Sequence, residues 1–167
     1  MGAAATHSTL AQSEQRFARL RSILFWIFLL STLGAGTELY LTQHTEDVWQ
    51  WVPLVALGIG VLTALIAGVY PRRRTLWLHR WVLLGFIVCG GLGLYRHYLG
   101  NVEWVLEGAD PPPEGFELFW EAMNRKNPPG LAPAVMAQLG LLGLAYTYRH
   151  PRLRQHLAQG LIEENPS

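Results

Sequence analysis

Cysteine is nearly missing from this chain: Cys89 stands alone among 167 residues. A lone thiol closes no internal disulfide, which excludes a dithiol oxidoreductase of the four-helix, quinone-coupled kind. Cys89 falls in the middle of an apolar run and reads as packing. Also lacking are a glycine-rich phosphate loop after a strand, a serine nucleophile elbow and a cysteine-centred catalytic motif. No internal repeat is found, and no matching pair of Gly- or Pro-interrupted runs suggests a transporter's inverted repeat. The formal net charge of +1 averages two opposed faces and carries no nucleic-acid signature, so no nucleic-acid partner is expected.

Charge is scarce in four stretches: Ile23 to Thr42, Trp51 to Tyr70, Leu76 to Leu99 and Leu131 to Tyr148. A helix rises about 1.5 Å per residue, so roughly 20 apolar residues cross a hydrocarbon core of about 30 Å. All four runs qualify. The expected fold is therefore all-α, an integral membrane four-helix up-down bundle, with residues 22–149 forming the membrane domain between tails at 1–21 and 150–167.

The connections alternate in sign. Arg16, Arg19 and Arg21 precede the first run, Arg72, Arg73 and Arg74 follow the second, and Arg149, Arg152 and Arg154 follow the fourth. Because cytoplasmic flanks carry the arginine excess, both termini are expected inside. The opposite face holds Glu46, Asp47, Glu103, Glu107, Asp110, Glu114, Glu117 and Glu121 against Arg125 and Lys126. Trp26, Tyr70, Trp77 and Tyr148 fall at one border and Tyr40, Trp49, Tyr95 and Trp104 at the other, as interfacial aromatic belts do. The basic run before Ile23 and the small residues Gly34 to Gly36 imitate a secretory signal, but the apolar stretch continues through Leu41, so it reads as a span. Met1, Gly2 and Thr6 fit a loose myristoylation pattern that reads as accidental.

Residues 100–130 form the long outer connection. Pro111 to Pro113 and Pro128 to Gly130 bracket Glu114 to Arg125, where Phe116, Phe119, Trp120 and Met123 recur at helical spacing. This predicts a short amphipathic helix, either lying on the membrane or capping the bundle, two arrangements that differ in the exposure of Trp120. Residues 1–15 are small and polar, lack periodicity and predict a poorly ordered tail. Ala56 with Gly60, and Ala64 with Gly68, predict close helix contacts. Pro53 and Pro133, near outer helix starts, read as caps.

Polar groups within apolar runs are the first functional candidates. Counting down from the acidic side, Glu38, Arg96, His97 and Gln138 come to comparable depth, which predicts a Glu38–Arg96 pair. A sharper alternative gathers Glu38, His44, Glu46, Arg96, His97, Asn101, Glu103 and Gln138 into an outward-facing polar cluster for a metal or small polar ligand, although the spacing matches no specific metal motif. His79 and His97 are 18 residues apart, five helical turns, and share one helix face. Haem sites pairing His44 with His97 and His79 with His150 are conceivable, but these residues fall at the borders, where surface histidines at helix ends are the simpler reading. The identity of any cofactor stays open.

Glu38-Leu39 with His44, Glu46, Asp47, Gln50 and Pro53, then His97 with Gly100 to Glu103, and finally Gln138 to Gly140 and Tyr146 to Pro151 resemble uncharacterised small four-span proteins of the bacterial inner membrane. The resemblance implies that location and architecture and brings no activity, cofactor or catalytic residue. The function expected first is an accessory or scaffolding subunit that associates with itself or with a larger membrane complex. Next come a metal-, haem- or ligand-binding membrane protein and a small oligomeric transporter.

Overall fold

The computed structural model describes residues 2–43, 45–125 and 130–153, with side chains from residue 12 onward. The chain is all-helical, with no strand among the described residues: α1 (Gly2–Leu41), α2 (Val48–Val69), α3 (Arg73–Gly108), α4 (Gly115–Asn124) and α5 (Ala134–Thr147). Three of these helices, within 12–41, 48–69 and 73–108, are long and apolar enough to cross a membrane. The fourth expected span yields α5, which is apolar but has 14 residues, about 21 Å of helix.

Local chemistry explains the helix limits. Gln50 Oε1 accepts the backbone N–H of Glu46 at 2.8 Å, and Trp51 Nε1 donates to Thr45 O at 3.1 Å. These bonds satisfy groups that would otherwise be orphaned at the start of α2. The helix therefore opens at Val48, ahead of the expected Trp51, so Pro53 lies inside it rather than at its cap. At the other end Tyr70 N–H closes on Ile66 O at 2.8 Å and Pro71 stops the helix. Thr75 Oγ1 donates to Tyr70 O at 2.6 Å and accepts Arg72 N–H at 3.1 Å, knitting the turn into α3.

Two boundaries depart from expectation. The segment predicted as a poorly ordered tail is helical from Gly2, as no proline and no second glycine interrupts the run before Gly34. Helix α3 runs on past Leu99 to Gly108; a single glycine, Gly100, does not break it, and Pro111 to Pro113 end the helical register.

Helix α1 packs on α2 and α5, and α3 packs on α2, α5 and α4. The core is Phe28, Leu57, Ala64, Leu83, Phe86, Met136 and Leu139. Small residues set how closely the helices approach. A Cβ at Gly140 would lie 2.7 Å from Leu83 O, and one at Gly90 would lie 2.8 Å from Ala137 N, so the α3 and α5 backbones nearly touch. Gly60 leaves room for the Phe86 ring. Outside this core, Leu30, Val55, Leu62, Val88, Leu92 and Leu141 all face outward. Such apolar exteriors suit lipid, which offers no hydrophobic drive for association and leaves close packing to hold helices together.

Helix α4 forms where the amphipathic pattern predicts it. It buries Ala122 against α3 and sets Phe119 beside Tyr98 at 5.9 Å between ring centroids. Phe116 and Trp120 stack on each other at 6.2 Å and stay 74% and 59% exposed. The aromatic face of α4 is thus not folded over the bundle.

Candidate functional site

The predicted polar set differs in exposure from residue to residue. Glu38, Glu46, Glu103 and Gln138 are exposed, His97 is half-buried and Asn101 is buried, while His44 lies outside the described residues. Arg96 stands over the Trp49 ring at 5.1 Å, and among the described residues no ion pair joins it to Glu38. The expected Glu38–Arg96 pair is thereby replaced by a cation–π contact, which an arginine makes readily at an aromatic border. Asn101 Nδ2 donates to Ala122 O at 3.0 Å and so ties α4 to α3. Among the described residues no three His, Cys, Asp or Glu side chains come close enough to hold a metal ion.

Gln138 also sits deeper than the count from the acidic side places it. Its neighbour Ala137 faces Gly90, midway along α3, about 10 Å from the level of Arg96 and His97. The count fails because α3 overshoots: Pro133 at the head of α5 meets Gly93, and α3 continues well beyond that level.

The structure does gather polar side chains at the arginine-rich end. His79 on α3 is 0% exposed, contrary to the surface histidine expected there. Its Nδ1 lies 3.0 Å from Thr63 Oγ1 on α2. The Thr63 hydroxyl donates to backbone carbonyls of its own helix, Ile59 O at 2.9 Å and Gly60 O at 3.2 Å. Its proton being engaged, Oγ1 is left to accept, which assigns the His79 proton to Nδ1. In the neutral ring Nε2 then carries the lone pair, and it finds no partner among the described residues. The imidazole meets the edge of Phe28 at 5.4 Å and the Tyr146 ring at 6.3 Å.

From Tyr146 the cluster continues toward the surface. His150 stands 6.4 Å from the Tyr146 ring, and its Nδ1 accepts Arg152 N–H at 3.3 Å. Burial, followed by the charges of Arg21 and Arg152, holds the His150 imidazole below its ordinary value of 6.5, since each disfavours the cation. Alongside, Arg80 Nε donates to Thr147 Oγ1 at 3.1 Å, and that hydroxyl donates to Leu144 O at 3.0 Å. The arrangement is a buried imidazole whose Nε2 has no hydrogen-bond partner among the described residues, flanked by aromatic rings and leading to a basic rim. A nitrogen so placed can accept a proton, accept a hydrogen bond or ligate a metal, and a buried polar atom of this kind is costly without a role.

Sequence reasoning named His79 and His150 as candidates but assigned no site role to Thr63 or Tyr146. The signal was present: Thr63 and His79 each stand eight residues from Pro71, so a tight antiparallel hairpin brings them level. Compared with known proteins, the chain matches no family model, no curated protein and no solved structure.

Proposed function

We propose that this chain is an accessory or scaffolding subunit of the bacterial inner (cytoplasmic) membrane. In this reading α1, α2, α3 and α5 are four up-down spans, and both termini are cytoplasmic. The short α5 crosses with the help of the tight turn from Leu131, where Ala134 N–H bonds Leu131 O at 3.0 Å, and of local bilayer thinning. The arginine groups at one end support the orientation.

One observation carries the scaffolding role. The Gln138 amide is exposed midway along the bundle and has no hydrogen-bond partner among the described residues. A carboxamide facing hydrocarbon alone is unfavourable, and interhelical amide hydrogen bonds are a common glue between spans. The partner is a second copy or another subunit that supplies a hydrogen-bonding group at that depth. The test compares wild type with Gln138→Leu by cross-linking in membranes and by mass measurement in mild detergent, with identification of copurifying proteins. The variant should lose its assembly while keeping its fold; an unchanged assembly contradicts the role given to Gln138.

The free Nε2 of His79 favours a second reading, ligand or metal binding through the buried histidine. An optical spectrum and elemental analysis of the purified protein separate the two, because scaffolding through Gln138 survives His79→Leu and ligand binding does not.

A further inference from the structure

The turn from α2 into α3 shapes a shallow open depression at the arginine-rich end. It is lined by Val69, Tyr70, Pro71, Arg72 and Arg73 from the hairpin and by Arg152 from the segment after α5. The lining has two chemical halves. Val69 and Tyr70 end the apolar run of α2 and supply an apolar wall, while three arginines supply the opposite rim, with no carboxylate among the described lining residues.

The cationic rim is held in place. Arg72 N–H bonds Tyr70 O at 2.7 Å as well as Thr75 Oγ1, which fixes the turn carrying Arg72 and Arg73. Arg152 is anchored through its own amide on His150, whose ring packs on Tyr146. Three like charges brought together from segments far apart in sequence repel one another, and an anion in the depression relieves that repulsion.

The geometry points to a phosphate-binding site for the headgroup of an anionic phospholipid. Guanidinium groups suit phosphate oxygens because they donate paired hydrogen bonds in a planar fork. A phosphodiester at this rim leaves the glycerol and first acyl carbons against Val69 and Tyr70, at the level where tyrosines favour the bilayer border. The apolar half distinguishes a lipid from inorganic phosphate, which has no use for it. This site depends on the helices lying in lipid and is independent of the role given to Gln138.

The test uses purified full-length protein in neutral detergent. Native mass spectrometry counts bound molecules during titration with phosphatidylglycerol, with phosphatidylcholine and with inorganic phosphate. Phosphatidylglycerol should bind in preference to phosphatidylcholine, and added salt should weaken it. The Arg72→Gln/Arg73→Gln/Arg152→Gln variant should bind about fivefold more weakly for each arginine removed. Arg16→Gln/Arg19→Gln, which removes charge outside the depression, should bind as wild type. Equal binding of both lipids, equal competition by inorganic phosphate at matched ionic strength, or equal loss in the two variants overturns the proposal. The lipid preference of wild type is read without any variant, so a misfolded variant does not shield the proposal.

Discussion

His79 on α3 and Thr63 on α2 meet at 3.0 Å between Nδ1 and Oγ1 inside the helix assembly. Thr63→Val keeps the shape and removes the acceptor, leaving the Nδ1 proton of a buried imidazole unpaired. The expected loss is about 1–3 kcal/mol, and Thr63→Val/His79→Leu should recover part of it, since replacing both partners by apolar groups removes the orphan. Thermal unfolding in detergent of the two single variants and the double gives the coupling directly. Strict additivity contradicts the bond.

The α3–α5 contact makes a second prediction. Gly140→Ala places a Cβ 2.7 Å from Leu83 O and 2.8 Å from Ile87 Cγ1, so the helices must part, at about 1–3 kcal/mol. Gly34→Ala meets nothing within 4 Å and gains up to about 1 kcal/mol of helix preference. The unfolding midpoint should fall for the first and hold or rise for the second.

His150 predicts a pH dependence. Its imidazole is held below 6.5 by burial, Arg21 and Arg152, so over that interval the unfolded chain binds the proton and the folded chain does not. Stability from this group is therefore full above the ordinary value and is lost as pH falls below it, until the folded imidazole also protonates. Among the described residues, Tyr146, Arg21 and Arg152 are the groups that bear on it. Between about pH 7.5 and pH 5, wild type should lose more thermal stability than His150→Gln; equal losses contradict the assignment.

Much of the helical layout was legible because it follows from composition. The apolar runs mark α2 and most of α1 and α3, Pro71 marks a stop, and the spacing of Phe116, Phe119, Trp120 and Met123 marks α4. Helix ends were harder to read, since they depend on bonds that hydropathy does not register, such as Gln50 to Glu46 N–H. The overshoot of α3 then displaced the depth counted for Gln138 relative to Arg96 and His97. Histidine at a helix end reads as surface until its partner is known, and Thr63 looks like any threonine in an apolar run. Only the register of the hairpin about Pro71 pairs them.

The account rests on lipid as the solvent of these helices, with the arginine-rich end in the cytoplasm. Reporter fusions in a bacterial host test this most directly: a fluorescent protein after Ser167 and alkaline phosphatase inserted after Gln43. The account predicts a membrane-bound chain that needs detergent for extraction, fluorescent at its C-terminus and phosphatase-active at Gln43. A chain soluble without detergent, or phosphatase activity from a fusion after Ser167, would contradict it.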